Sequence, residues 1–332
     1  MSAVEVISVF IAQIVIYNIS LLYGTVGEIM TEKSGSLNLG VEGTMAIGAI
    51  GGYVMGCKTD SLLLGIVFSF IFAGLCGLLF AWLTITIQAN QNVTGLTITT
   101  FGLGLYFFIG NALKSAKVWP ELTKYEHLTK QIKTIKIPLL SDIPIIGKGF
   151  FSHNILVYLG ILISFAVWFY LKKTKYGLKL RSVGENPAAA DAVGINVTLY
   201  KYVHIIIGAG IMGIGGYQMG LNLGGAFEGS NCWINGYGWI AVALVIFANW
   251  NPAKAIIGTL VFGFFSTLKV YGASLANAFP GTLSWLNKIP PQLYSALPFI
   301  ITALVLIMNS VRKKKDSGEP AAIGVNYYRE DR

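Results

Sequence analysis

The chain has 332 residues, of which 54% are hydrophobic and only 12% are charged. A soluble domain carries about 25% charged residues, so this chain has about half the charge that a water-facing surface needs. Apolar runs long enough to span a hydrocarbon core of ~30 Å recur along the chain. They are apolar all round, whereas helices of soluble proteins have a polar face and strands of membrane barrels alternate between polar and apolar residues. Both of these classes of protein are therefore excluded. The composition predicts an all-α, polytopic transmembrane helical bundle.

The net charge of +9 favours anionic membrane lipids as the electrostatic partner, and no nucleic acid is expected. The three cysteines Cys57, Cys76 and Cys232 form no C-x-x-C or Cys/His cluster, so we expect neither a disulfide framework nor a metal site. The sequence contains no phosphate-binding loop and no H-E-x-x-H or G-x-S-x-G motif, so no cofactor is expected either. The first apolar segment lacks the basic region and cleavage site of a signal peptide and is interpreted as a retained span.

Nine apolar segments are candidate spans, which predicts eight to ten crossings. They are 4–22, 41–55, 62–88, 93–113, 154–171, 203–221, 239–248, 255–271 and 293–309. Segments 41–55 and 239–248 are too short to cross unaided at 1.5 Å per residue. Each follows a Gly/Asn-rich approach, SGSLNLG and GSNCWINGYG respectively. This pairing indicates broken or re-entrant helices that line a polar pathway; the alternative is two merely short helices.

Basic residues predict the orientation of the chain. Five of them crowd into ten residues after one span: Lys172, Lys173, Lys175, Lys179 and Arg181. Four more follow the last span at 312–315, so both flanks should be cytoplasmic. We therefore expect one transmembrane domain over 1–315, a cytoplasmic loop at 172–202, a cytoplasmic polar tail at 316–332 and an outside N-terminus. Parity places the loop at 114–152 outside, although its seven lysines conflict with that side.

Small residues recur inside the predicted spans. GAGIMG at 208–213 matches G-x-G-x-x-G, but it lies within an apolar run and lacks the strand and acidic residue of a dinucleotide site. Small residues in membrane helices more often allow close helix approach. We interpret five glycines as helix-packing positions: Gly48, Gly52, Gly56, Gly208 and Gly213.

Polar residues close to apolar runs are candidates for a substrate pathway. Glu42, in LNLGVEGTM, is the acid closest to the interior of a run, where a charge normally faces the bundle interior or a water-filled cavity. The alternative is an interfacial acid at a helix N-terminus. Asn38, Asn92, Asn235 and Trp250 are further candidates because of their polar or aromatic character near span ends, with a structural role as the alternative for each.

The stretch LRSVGENPAAADAVGIN at 180–196 predicts a short capped helix outside the spans. Asn186 is a good N-cap, Pro187 fits the first helical position, alanines propagate the helix, and Gly194 suits a left-handed stop. A helix of about seven residues is unstable alone and needs a docking surface. Its small alanine face would fit a groove in another protein; the alternative is a connecting turn lying on the membrane surface.

The same stretch resembles the coupling segment of ABC importer permeases in the branched-chain amino acid, ribose and nucleoside superfamily. TEKSGSLNLGVEGTMAIGAIGGY at 31–53 resembles the N-terminal signature of the nucleoside branch, and GYGWIAVALVIFANWNPAKAIIGTLVFG at 236–263 resembles its C-terminal block. The resemblance covers about residues 20–310. It implies that the coupling segment contacts an ATP-binding subunit through seven residues: Arg181, Gly184, Glu185, Asn186, Pro187, Ala190 and Gly194.

The resemblance also implies the rest of the assembly. A separate ATP-binding subunit would hydrolyse ATP, a second permease subunit would complete the pathway as a homo- or heterodimer, and an extracellular or lipoprotein solute-binding protein would deliver the solute. The chain itself would then be no enzyme. We expect a bacterial plasma membrane protein that transports nucleosides or related purine and pyrimidine compounds. The alternatives are a sugar or branched-chain amino acid permease of the same fold and an ion-driven secondary transporter.

Overall fold

The computed structural model describes most of the chain. The described residues are 3–118, 128, 130–132, 134–141, 143–227, 229–311 and 318–328. The predicted basic cluster at 312–315 lies outside them. The α-helices, in chain order, are α1 (Ala3–Glu32), α2 (Val41–Thr59), α3 (Leu62–Ala81), α4 (Gln91–Ser115), α5 (Ile146–Phe150), α6 (Ile155–Lys173), α7 (Lys175–Glu185), α8 (Pro187–Ala192), α9 (Val197–Asn222), α10 (Tyr237–Phe247), α11 (Pro252–Ala278) and α12 (Pro291–Val311).

Three smaller elements complete the described fold. A π-helical turn, Trp82–Thr86, extends α3, and a 3-10 turn, Ser284–Lys288, precedes α12. Strands β1 (Thr134–Lys136) and β2 (Ser152–Asn154) form an antiparallel hairpin. Strand β1 lies within the predicted loop at 114–152 and β2 begins at its last residue, so backbone hydrogen bonds order part of that loop.

The helices confirm the predicted polytopic bundle. Six of those described are long and apolar enough to cross a membrane, namely α1, α3 with its π turn, α4, α6, α9 and α11. The described part of the chain also holds α2, α10 and α12 in the bundle. Six helices that are long and apolar enough to cross are fewer than the eight to ten predicted crossings, so that number stays a prediction. The predicted segments were too short at several ends: 4–22 continues to Glu32, 203–221 begins at Val197, and 41–55 continues to Thr59. The prediction that 41–55 is too short to cross was therefore wrong in length, because α2 has 19 residues, as many as α6. Polar residues at these ends lower the hydropathy, yet their backbone hydrogen bonds still belong to the helix.

The connections lie at two opposite ends of the bundle. At the end that carries residues 174–196, here named the coupling end, the backbone N–H of Leu37 donates to Gln91 Oε1 (2.7 Å). At the other end, here named the loop end, Gln131 Nε2 donates to the Asp60 carbonyl (2.8 Å) and Lys114 Nζ donates to the Phe227 carbonyl (2.6 Å). The segments 114–152 and 174–196 therefore lie at opposite ends, as parity requires.

Helix α9 is the central helix, and it contacts α1, α2 and α3. Two of its glycines meet backbone on neighbouring helices. A Cβ at Gly208 would lie 2.5 Å from the Gly27 carbonyl oxygen, and a Cβ at Gly48 would lie 2.3 Å from the Gly213 Cα. These contacts let the α1–α9 and α2–α9 backbones approach closely, which is how helices without a hydrophobic driving force gain packing energy in a membrane.

Gly52 and Gly56 occupy the next two turns of α2, where Gly52 faces α3 and Gly56 lies between α3 and Tyr217 of α9. A Cβ at Gly52 would lie 2.9 Å from the Gly65 carbonyl oxygen, and one at Gly56 would lie 2.8 Å from the Tyr217 hydroxyl. The row of small residues at four-residue spacing therefore runs along two interfaces of α2. Its position fixes how deeply α2 inserts between α3 and α9.

Helix α10 is an interrupted helix. Its 11 residues span about 16 Å at 1.5 Å per residue, roughly half of a hydrocarbon core. The preceding Gly236 has φ +91°, a left-handed conformation that glycine adopts without strain. The predicted short segment at 239–248 is therefore correct, with a start two residues earlier at Tyr237.

We expect Gly48→Leu to lower the stability of the protein by about 3 kcal/mol, the upper part of the range for overpacked cores. The physical reason is the 2.3 Å approach of its Cβ to the Gly213 backbone, which cannot move aside as a flexible side chain would. The melting temperature of the purified protein in detergent measures this effect. Gly104→Leu is the matched control, because a Cβ at Gly104 meets no heavy atom within 4 Å. Equal melting temperatures for the two variants would contradict the close approach.

Candidate transport pathway and coupling surface

The Glu42 carboxylate joins the N-termini of α2 and of the short helix α10. Glu42 lies in the first turn of α2 and is 4% exposed. Its Oε1 accepts a hydrogen bond from the N–H of Gly236 (2.6 Å), and its Oε2 accepts one from the N–H of Gly238 (2.7 Å). These amides belong to the N-terminus of α10, where backbone donors lack partners within the helix. We name this arrangement the Glu42 junction.

The Glu42 junction lies deep inside the bundle. The 17 residues from Glu42 to the end of α2 at Thr59 place it about 26 Å from the loop end, and α10 places it about 16 Å from the coupling end. The N-termini of α2 and α10 therefore meet at one carboxylate, and the positive ends of both helix dipoles favour its negative charge. Glu42 therefore lies in the bundle interior, as the first alternative expected, and also at a helix N-terminus, but it is buried and not interfacial as the second alternative expected.

A second carboxylate cluster lies closer to the coupling end. Glu28 and Glu32, on the last two turns of α1, are 0% and 2% exposed. The Glu28 carboxylate accepts hydrogen bonds from the N–H of Asn38 (3.3 Å) and from Asn38 Nδ2 (3.4 Å), while Trp250 Nε1 donates to Glu32. The cluster ties the segment that leads into α2 and the turn that follows α10 to the same helix. Asn38 and Trp250, both predicted pathway residues, meet here.

An aromatic cavity of about 460 Å³ lies on the loop-end side of the Glu42 junction. Aromatic and polar side chains of α1, α9, α10, α11 and the segment before α10 line it. They include Tyr17, Asn231, Cys232, Trp233, Asn235, Tyr237, Ser266, Thr267 and Tyr271. Asn235 and Tyr237 flank Gly236, so the cavity ends at the amides that bind Glu42. Its volume is within the usual range for small-molecule sites.

Polar groups in this cavity have unused hydrogen-bonding capacity. The Thr267 side chain is 3% exposed, and its hydroxyl has no hydrogen-bond partner among the described residues. Buried polar atoms in proteins are nearly always paired, so an orphan hydroxyl that faces a cavity points to a ligand or water there. Burial raises the pKa of the Cys232 thiol to about 11, so this side chain is a neutral wall residue at pH 7. Asn235 is exposed at the cavity and has φ +39°.

Asn92, the remaining pathway candidate, is not brought to this region. It is exposed on the first turn of α4 and lines neither the aromatic cavity nor the two carboxylate clusters. Hydropathy near a span end does not tell which face of the helix a residue occupies, and this limitation explains the misplacement. Ser266 and Thr267 were missed, although two adjacent hydroxyls inside an apolar run are a signal that the sequence contains. Glu32 was missed because the predicted first span ended at residue 22.

The coupling segment forms the predicted capped helix. Asn186 Oδ1 accepts from the N–H of Ala189 (2.9 Å), Pro187 is the first helical residue of α8, and Gly194 has φ +83°. Ala190 is 2% exposed and packs with Val183 and Val197. The opposite side of α8 exposes small apolar residues to solvent: Ala188, Ala189, Ala192 and Val193.

The prediction of a loop over 172–202 was wrong in one respect. Residues 175–185 form α7, which carries Arg181, Gly184 and Glu185, and α9 already begins at Val197. Five basic residues within 172–181 suggested a solvated loop, although residues 175–185 have an amphipathic pattern. Gly184 packs against the segment after α1: a Cβ there would lie 2.4 Å from the Lys33 carbonyl oxygen. Burial lowers the pKa of the Lys33 ammonium from its ordinary value, while nearby Glu185 opposes that shift.

Residues 318–328, here named the tail segment, cross the coupling end and bind both sides of it. The N–H of Ala322 donates to the Gly184 carbonyl (3.0 Å), and the Tyr327 hydroxyl donates to Asp191 Oδ2 (2.8 Å). Asn326 Nδ2 donates to the Gln88 carbonyl (2.7 Å) in the α3–α4 connection. The tail segment is therefore hydrogen-bonded to α7, to α8 and to the connection between α3 and α4. The sequence indicated only a polar tail.

Membrane-length helices, a half-length helix that starts at a buried carboxylate and a capped helix at one end define a multi-pass membrane transport protein. The chain belongs to the family described as branched-chain amino acid transport system / permease component, whose model matches residues 10–306. It is a permease subunit of an ABC transporter and not itself catalytic; an ATP-binding subunit and a solute-binding protein are implied as companions.

Three relatives match nearly the whole chain. The nucleoside ABC transporter permease protein NupC of Lactococcus lactis subsp. cremoris is 33% identical over 98% of this chain and 99% of its own. The guanosine ABC transporter permease protein NupQ of Bacillus subtilis is 32% identical over 92% and 93%. The putative glucose ABC transporter permease protein TsgC13 of Haloferax volcanii is 34% identical over 93% and 94%. No solved structure matches the chain.

Glu42→Gln tests the Glu42 junction. A carboxamide keeps the shape of the side chain but has only one acceptor oxygen, so either the Gly236 or the Gly238 amide loses its partner. We expect solute uptake to fall about tenfold, the effect of about 1–3 kcal/mol from one unpaired buried amide. Uptake by cells is normalised to the amount of inserted protein. Asn92→Ala, an exposed polar residue, is expected to retain wild-type uptake; a Glu42→Gln variant with the same uptake would refute the junction.

Proposed function

We propose that this chain forms the transmembrane pathway of an ATP-driven importer for nucleosides or related purine and pyrimidine compounds in a bacterial plasma membrane. The observation that carries the proposal is the aromatic cavity, which ends at the Glu42 junction and contains the orphan hydroxyl of Thr267. A nucleobase stacks on aromatic side chains with a favourable energy of about 1–3 kcal/mol per base. The ribose hydroxyls supply partners for Thr267, Ser266 and Asn235.

The relatives support the same solute class. Two of the three are named for nucleosides or guanosine, while the third is named for glucose. Four aromatic side chains line the cavity, more flat apolar surface than a single sugar ring covers, and this favours a solute that carries a base. A sugar permease is the second candidate, because the glucose relative is equally similar over the same length.

The proposed orientation places the coupling end in the cytoplasm and the loop end, with segment 114–152, outside. The ATP-binding subunit would contact the exposed face of α8, and the solute-binding protein would deliver solute to the loop end. A second permease subunit, identical or not, would complete the pathway. The five basic residues after α6 support this orientation, since such clusters favour the cytoplasmic side.

A contiguous set of contacts supports ATP-driven opening. Displacement of α8 moves α7, and Gly184 of α7 packs on the backbone of Lys33 and Gly35. The segment that starts there continues through Asn38, bound to Glu28, to the first turn of α2 and the Glu42 junction. The ATP-binding subunit would thus shift α2 and α10 between two packings. Such a two-state change in the pathway is alternating access.

Competition for uptake tests the solute class. In proteoliposomes that contain the full transporter complex, we expect unlabelled purine and pyrimidine nucleosides to suppress ATP-dependent uptake of labelled guanosine. Glucose and leucine at the same concentration should leave it unchanged. Thr267→Val is expected to raise the KM about tenfold, since one hydrogen bond of about 1.5 kcal/mol is lost; Thr97→Val, at an exposed site on α4, is the control. Absence of competition by every nucleoside tested would refute the solute assignment.

Ala189→Arg tests the coupling role independently of the solute. The side chain is exposed on α8, so the substitution leaves the fold intact but places a bulky charge on the small apolar face. We expect the variant to insert normally and to lose both ATP-dependent uptake and co-purification of the ATP-binding subunit. Ala116→Arg, an exposed alanine at the loop end, is the matched control and should retain both. Unchanged uptake in Ala189→Arg would contradict the assigned contact.

A further inference from the structure

A groove of about 830 Å³ opens at the coupling end, separate from the aromatic cavity. The start of α9, the π turn after α3, the end of the α8 segment and the tail segment form its walls. One side is polar and includes Gln88, Asn196 and Asn326, while Ile85, Val203 and Ile206 form an apolar side. Leu199 and Val203 on α9 are 56% and 39% exposed, so the apolar side continues into the outer surface of the bundle.

Lys201 supplies an unpaired positive charge to this groove. The residue is 3% exposed and lines the groove, yet its ammonium forms no hydrogen bond or ion pair within the described residues. A buried ammonium without a counter-charge is costly. One carboxylate, that of Asp191, also lines the groove; its Oδ2 accepts the hydrogen bond from the Tyr327 hydroxyl.

The N-terminus of α9 adds to the same positive region. Asn196 caps this 26-residue helix by accepting from the N–H of Leu199 (2.9 Å), and the first turn still offers backbone donors. A helix N-terminus attracts phosphate and other anions. Lys201 lies one turn, about 6 Å, further along the helix. A charged group and an apolar wall therefore lie next to each other where α9 enters the bundle.

A ligand that matches this groove has an anionic phosphate at one end and an acyl chain at the other. We propose that the groove binds an anionic phospholipid, with its phosphate between Lys201 and the α9 N-terminus and one acyl chain along Ile85, Val203 and Ile206. Gly194 and Ile195, directly after α8, also line the groove, as does Asn326 of the tail segment. The bound lipid thus contacts the coupling segment and supports its position.

Lipid retention by the purified full transporter complex tests the site. The complex is washed in mild detergent, and the retained lipid is measured by native mass spectrometry. The wild-type complex is expected to retain phosphatidylglycerol. Lys201→Met is expected to retain about fivefold less, because one basic side chain near an anionic phosphate contributes about that factor. Lys254→Met removes an exposed lysine at the same end and should behave as wild type. Equal retention by Lys201→Met and wild type overturns the proposal.

A second variant separates binding from folding. Val203→Trp fills the apolar side and keeps the charge, so it should lose retained lipid while the complex melts at the wild-type temperature. Lys201→Met should melt at or above that temperature in detergent without lipid, because an unpaired buried charge is removed. If Lys201→Met melts lower and Val203→Trp retains lipid as the wild type does, Lys201 is a fold-stabilising residue and the lipid site is refuted.

Activity distinguishes a lipid from free phosphate. Wild-type uptake should be faster in liposomes of phosphatidylcholine with phosphatidylglycerol than in phosphatidylcholine alone, and Lys201→Met should show no such difference. Inorganic phosphate added to phosphatidylcholine liposomes should have no effect. Stimulation by phosphate alone, or equal stimulation of the variant by phosphatidylglycerol, would overturn the proposal.

Discussion

The hydrogen bonds of the Glu42 carboxylate are the interaction on which the interrupted helix α10 depends. A helix that begins inside a membrane leaves backbone amides without partners, and each of them costs several kcal/mol in an apolar medium. A carboxylate at the same depth is costly by itself. Placing Glu42 against the Gly236 and Gly238 amides removes both costs at once. The start of α10 and the buried position of Glu42 therefore stabilise each other, and the aromatic cavity lies beside this start.

The second carboxylate cluster holds the segment that leads into α2 and the turn that follows α10. Asn38, just before α2, is held by Glu28, and Trp250, just after α10, is held by Glu32. Both acids are on α1, which packs along the central helix α9. The segment before α2 and the turn after α10 are thus each bound to α1, while Gly184 touches the start of the first segment at Lys33. These contacts form a contiguous route from α7 to the Glu42 junction, and the proposed coupling would use this route.

Local signals in the sequence predicted α8 well, because its start and end depend on neighbouring residues. Asn186, Pro187 and Gly194 adopt the cap, first-turn and left-handed conformations that their chemistry favours. The Glu42 junction could not be predicted in the same way, since its donors lie 194 and 196 residues away. The length of α1 was underestimated because Glu28 and Glu32 look like an exit into water, whereas each has a buried partner. Which face a polar residue occupies is also a tertiary property, and for this reason Asn235 reaches the cavity while Asn92 does not.

The tail segment changes the physical argument about α8. A six-residue helix is too short to be stable alone, and from sequence this instability was an argument for a partner protein. The structure supplies part of the missing stabilisation within the chain: Ala190 packs with Val183 and Val197, Tyr327 binds Asp191, and Ala322 binds the carbonyl of Gly184. Instability of the helix is therefore no argument for a second protein. The argument lies in the side that these contacts leave bare, where Val193 is 77% exposed beside three solvent-facing alanines. The proposed contact with an ATP-binding subunit therefore depends on this open apolar face and not on the instability of the helix.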